Sequence, residues 1–187
     1  MNKKLFRKGE NHRTPGWYLN SGEIELFLTE EGGHHAPVTF KAGKGVPIQP
    51  YFISPWQDAR PDLSHIPLLQ NLRGDFFCLP FGGNGEPVDG RKYPPHGETS
   101  ASRWTLTDAE QKGDVTFFEF EMTTKILPAK VVKRIEVRKG QPVLYLKHTV
   151  SGMDARMPYG HHAILQMPEP GEKMYFSAGK FDYGLTP

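Results

Sequence analysis

Glycine and proline punctuate this chain so often that long helices have no room: 20 Gly and 17 Pro are spread through all 187 residues. Proline removes a backbone donor and glycine loosens the chain, so both end regular segments. Short strands fit the intervals that remain. Residues 23–29 alternate around Ile24, Leu26 and Leu28, pause at Glu30-Glu31-Gly32-Gly33, and regain apolar character at Val38 and Phe40, which predicts a hairpin. The pair His34-His35 falls just after that turn and reads as part of the hairpin. From Val115 to Met122, Phe118, Phe120 and Met122 alternate with Phe117, Glu119 and Glu121, a period of two. Val131, Lys133, Ile135 and Val137 share one face of the next segment, and a third strand is expected from Val143 to Val150. The succession predicts an antiparallel meander.

The stretch from Pro47 to Pro95 is dense in proline and aromatic residues and reads as long loops laid over a sheet. Leu63, Ile66 and Leu69 have helical spacing, but Pro61 and Pro67 confine that segment to a short turn. The length is that of one domain, 1–187, with no internal repeat.

Charge narrows the function classes. Lys and Arg number 23 against 21 Asp and Glu, a net +2 with no long run of one sign, so a nucleic-acid partner is not expected. The basic start has no apolar stretch behind it, so export through a signal peptide is not expected. No window offers the ~20 apolar residues of a spanning helix. The lone Cys78 has no partner for an internal disulfide and no companions for a cysteine-rich zinc site. A reducing, cytoplasmic location is the expectation.

Reactive residue types gather in three places. Tyr93-Pro94-Pro95-His96-Gly97-Glu98, with Trp104 close behind, presents a histidine from a stiffened loop. Met157-Pro158-Tyr159-Gly160-His161-His162 again sets histidines after proline and glycine; on a strand the two would point to opposite faces, so only one would enter a given pocket. Arg73-Gly74-Asp75 is followed at once by Phe76 and Phe77. Arginine offers fixed donors to hydroxyls, and aromatic faces stack on the apolar side of a pyranose. Each cluster also has a structural reading: His96 satisfying loop carbonyls, one of His161 and His162 facing away from any site, Arg73 and Asp75 closing a surface turn, and Trp104 and Trp56 packing in the core.

The three segments Asn71–Gly82, Tyr93–Trp104 and Met157–Leu165, in this order and with β-rich sequence between them, resemble the galactose mutarotase-like, aldose 1-epimerase-related proteins. The resemblance runs over most of the chain, and the order and spacing of the segments carry it. It implies an all-β fold, an antiparallel β-sandwich of the galactose mutarotase-like supersandwich type, with a pocket on a concave sheet face. It also implies interconversion of the α and β anomers of a hexose, without metal or organic cofactor. A carboxylate takes the proton of the anomeric hydroxyl, a histidine protonates the ring oxygen, and the opened aldehyde recloses as either anomer. On that pattern His96, His161 and His162 supply the imidazoles and Arg73 holds hydroxyls, with Asp75, Trp104 and Tyr159 as further sugar contacts.

One departure matters. In the family the carboxylate base comes late in a chain longer than this one, so the sandwich is expected to be incomplete at its C-terminal end. Glu172 and Asp182 lack the surrounding motif, which leaves Glu98 as the candidate base, or as a group that orients His96. Two other readings stay open: a carbohydrate-binding sandwich without catalysis, and a cupin-like metalloenzyme built on His96, Glu98 and one of His161 and His162. An exposed sheet edge would favour a homo-oligomer.

Overall fold

The computed structural model describes residues 4–41, 45–59, 61–175 and 177–183. It contains two antiparallel sheets and little helix. The first holds six strands in the order β1 (Phe6–Asn11), β2 (Thr14–Asn20), β3 (Ile24–Thr29), β4 (His35–Phe40), β5 (Asp75–Cys78) and β10 (Gly160–Ala163). The second is a four-stranded meander of β6 (Thr105–Lys112), β7 (Val115–Thr124), β8 (Ala129–Arg138) and β9 (Leu144–Ser151). No helix among the described residues is long and apolar enough to cross a membrane.

Alternation decides what lies between the sheets. Leu19, Ile24, Leu26, Leu28 and Val38 from the first meet Phe118, Phe120, Met122, Val131 and Ile135 from the second. Trp17 of β2 contacts Phe120 of β7 edge to face, ring centroids 5.2 Å apart. Each such side chain removed from water contributes ~1.5–3 kcal/mol. Together they hold the layers face to face.

The expected hairpin is β3–β4, with Leu26 opposite Val38 and Ile24 opposite Phe40. The expected meander is β7–β8–β9, but β6 precedes it and was not foreseen. Two further departures concern the loop-rich first half. Strands β1 and β2 form where no apolar run announces them, because Gly9, Gly16 and charged residues break the pattern. The short helix α1 spans Pro67–Gln70, later than the expected turn, since proline suits a first helical position, where its missing N–H costs nothing.

Strand β5 is the element on which the rest of the molecule turns. It lies in the proline-rich middle and is buried along its whole length, so it shows no alternation of apolar and polar residues. Phe77 packs into the core between the sheets, whereas Phe76 and Cys78 join Leu68 in a smaller cluster on the opposite face. Loops 50–72 and 80–100 bring Leu68, Leu72 and Phe81 to that outer face. Gly74 lets the chain enter β5: its φ is +54°, and a Cβ there would lie 1.9 Å from the His35 carbonyl oxygen.

Candidate functional site

Two histidine clusters sit back to back on the strand pair β5–β10. His161 pairs with Phe77 and His162 with Phe76, so the period of two sends the adjacent imidazoles to opposite faces of the first sheet.

On the inner face, the His161 Nδ1 lies 2.8 Å from Asp75 Oδ2, and the Nε2 of buried His35 lies 3.6 Å from the same oxygen. His148, from β9 of the other sheet, stacks on Phe77 with centroids 4.0 Å apart and stands 5.0 Å from the His161 ring. Lys133 of β8 is fully buried, donates to the Gly33 carbonyl and lies over the Trp104 ring. Burial pushes the Lys133 ammonium down to about 8, opposed by the charge of Asp75. Burial alone would raise the Asp75 carboxyl, but the His161 hydrogen bond, with His35 and the Lys133 ammonium nearby, holds it below the usual carboxylate value. Asp75 is therefore ionised near neutrality and can only accept. Burial drives His35 down to about 3 and His148 far below its ordinary value, so both rings are neutral. Asp75 Oδ1 and both ring nitrogens of His148 have no hydrogen-bond partner in this structure. A cavity of about 420 Å³ opens against this cluster, lined by Phe77, His148, Met153, Met157, Tyr159 and His161 among others.

On the outer face, Phe76 is the centre. His34 and His162 both stack on it, with centroids 4.3 and 4.8 Å away, and His96 meets it edge-on. The rings of His96 and His162 are 4.8 Å apart, and Phe81 closes the group. His96 holds a left-handed backbone, φ +60°, a conformation costly for a residue with a Cβ. The loop compels it: the His96 amide donates to the Gly82 carbonyl, and Gly97, φ +78°, packs so tightly that a Cβ would come 2.0 Å from the Leu79 oxygen. Burial, then the charge of His162, lowers the His96 pKa below the ordinary histidine value. His34 is wholly buried and pushed down to about 3 by burial, with its Nε2 2.8 Å from the Ser100 carbonyl oxygen. The Nδ1 atoms of His34, His96 and His162 have no hydrogen-bond partner in this structure.

The expected site residues thus separate. His96 and His162 share the outer face; His161, Asp75 and Tyr159 share the inner one. Arg73 joins neither imidazole pair directly. It is fully buried, and its guanidinium donates to Thr14 Oγ1 and Gln57 Oε1 at 2.9 and 2.8 Å and to Asn11 Oδ1 at 2.8 Å, which ties β1, β2 and the turn at Pro55–Gln57 together. Glu98 does not orient His96. Its carboxylate accepts from the amides of Lys125 and Ile126 and secures the β7–β8 turn. Trp104 is fully buried, donating to the Thr99 carbonyl, so it offers no stacking face to a sugar. The cupin-like arrangement is not formed either: His96 and Glu98 diverge, and no group of three or more His, Cys, Asp or Glu among the described residues is placed to hold a metal ion.

Sequence reasoning missed His34, His35, His148, Lys133 and Phe81. Two of these left a trace. Lys133 occupies a buried position between Val131 and Ile135, and His148 continues the inward series Leu144 and Leu146.

No protein-family model matches the chain, and no curated protein sequence matches it at a significant level. Among solved structures, the crystal structure of YeaD from Salmonella typhimurium, a "putative mutarotase", superposes with a TM-score of 0.54 at 13% sequence identity. The match covers 74% of this chain and 45% of that one. The chain has a mutarotase-like β-sandwich fold. It spans a little under half the length of that neighbour.

Proposed function

We propose that this chain is an aldose 1-epimerase-like protein that holds a hexose against the outer face of β5–β10 and exchanges its anomers through His96 and His162. The observation that carries the reading is the pair itself: two imidazoles 4.8 Å apart, framed by Phe76 and Phe81, with one of them held in a left-handed backbone. Strained conformations persist where the surroundings over-determine them, commonly at ligand sites. Aromatic rings suit the apolar face of a pyranose. The resemblance of the Tyr93–Trp104 and Met157–Leu165 segments points to the same two positions.

The chemistry needs one proton acceptor and one donor. His96, its pKa lowered by burial, is the neutral acceptor that takes the proton from the anomeric hydroxyl. His162 delivers a proton to the ring oxygen as the bond from C1 to that oxygen breaks. Rotation about the bond between C1 and C2 and the reverse transfers close the ring as the other anomer. Imidazoles suit both tasks because their ordinary pKa is about 6.5.

Polarimetry on α-D-glucose and α-D-galactose tests the proposal. His96→Ala and His162→Ala should each slow mutarotation by ~10²-fold or more with unchanged far-UV dichroism. Full activity in both variants overturns it. A second reading, a carbohydrate-binding sandwich without catalysis, is favoured by one observation: among the described residues no carboxylate is hydrogen-bonded to either imidazole. Saturation-transfer NMR showing sugar binding with no acceleration of anomer exchange would select it.

A further inference from the structure

The inner cluster has no part in that scheme, because the sheet separates it from His96 and His162. We propose that the cavity between β9 and β10 is a second ligand site, which takes a small aromatic molecule bearing one hydroxyl, a phenol in chemical class.

Three features define the ligand. The first is size: about 420 Å³ lies within the ~300–1,000 Å³ of small-molecule pockets and accommodates a substituted benzene ring. The second is the wall. Tyr159 offers an exposed aromatic face, the edge of the Phe77–His148 stack lies at the base, and the thioethers of Met153 and Met157 are adaptable and favourable against ring edges. A hexose, hydroxylated all round, would leave most of its polar groups unmatched there. The third is the polar end. Ionised Asp75 accepts from the His161 Nδ1–H, and in that tautomer the ring's Nε2 is an acceptor. His148, kept neutral by burial, has one N–H to give, and neither of its nitrogens has a partner. One hydroxyl answers both rings: it donates to His161 and accepts from His148. Buried polar atoms without partners call for a missing occupant, and this pair is matched to that single group. Asp75 acts as a positioning residue, fixing the His161 tautomer as a carboxylate commonly does for a working imidazole.

The test uses p-cresol and its isostere p-xylene, with the intact chain labelled at histidine nitrogen. Titration with p-cresol should shift the His161 Nε2 resonance and leave Nδ1 nearly in place. p-Xylene should bind at least ~10-fold more weakly, since it leaves both imidazoles unpaired. His161→Phe, a change at a partly exposed position, should abolish the preference for the phenol while still admitting both compounds. Two results overturn the proposal: no shift of the His161 Nε2 resonance at 10 mM p-cresol (~10 mM being a generous ceiling for a fragment-sized ligand), or equal affinity for the two compounds. These readouts concern His161 alone, so their failure leaves the sugar proposal for His96 and His162 standing, and the converse holds.

Discussion

The two faces of β5–β10 carry the same residue types and use them in different ways. Inside, His35, His161 and His148 lie around the Asp75 carboxylate with buried Lys133 nearby, and the group reaches solvent through His161. Outside, His34, His96 and His162 surround a phenylalanine with no counter-charge beside them, and the group is half open to water. Imidazole lies beside a carboxylate in the first setting and packs around a phenylalanine beside other imidazoles in the second. Environment, not residue identity, separates the roles.

Acid gives the largest test of that contrast. His34 on the outer face and His35 on the inner are both depressed from 6.5 to about 3 in the folded protein. Each ring binds its proton readily only when unfolded, so the stability it leaves intact above pH ~6.5 is lost as pH falls toward ~3. Each contributes a slope approaching ~1.4 kcal/mol per pH unit within that window, and a few units suffice to unfold a domain of ordinary stability. Urea titrations between pH 7 and pH 4 should show the midpoint falling steeply. His148, lowered still further, adds a like slope, so His34→Phe, which keeps the stack on Phe76, should remove about a third of the total; an unaltered slope would mean that the outer face contributes nothing to it.

Next in size, Asp75→Ala should cost ~1–3 kcal/mol in urea unfolding, because it takes the acceptor from the His161 Nδ1–H and the opposite charge from the neighbourhood of buried Lys133. The outer-face counterpart, His162→Ala, removes no charge partner and should cost ~1–2 kcal/mol. Equal losses would erase the distinction between the faces. Gly97→Ala should follow at ~1–3 kcal/mol, since its Cβ meets the Leu79 oxygen and its φ is left-handed. That change also displaces His96, so mutarotation should fall more than stability does. Smallest of all is Arg134→Ala at the partly exposed pairs with Glu119 and Glu136, expected within ~1 kcal/mol and dependent on salt.

Much of the sandwich was legible because alternation is local. The hairpin β3–β4 and the meander β7–β9 follow from which neighbours are apolar, and the opposite orientation of His161 and His162 follows from strand geometry alone. Strand β5 was not legible. Buried on both faces and only four residues long, Asp75–Cys78 has no period to detect. The roles assigned to Glu98 and Trp104 failed for a related reason: sequence proximity placed them beside His96, whereas their hydrogen bonds run to the β7–β8 turn and to Thr99.

What the sequence alone determined is the class of fold and the list of groups able to exchange protons, since strand period, turn residues and side-chain chemistry are properties of short segments. Which groups meet was decided by tertiary structure. Asp75 and His161 are 86 residues apart and meet through the pairing of β5 with β10; His34 and Ser100 are 66 apart and meet because Gly32 and Glu30 hydrogen-bond to the backbone of Ser102 and Trp104. The β5–β10 pairing, by setting one register, put His161 with a carboxylate and His162 with His96. A slip of one residue would exchange them.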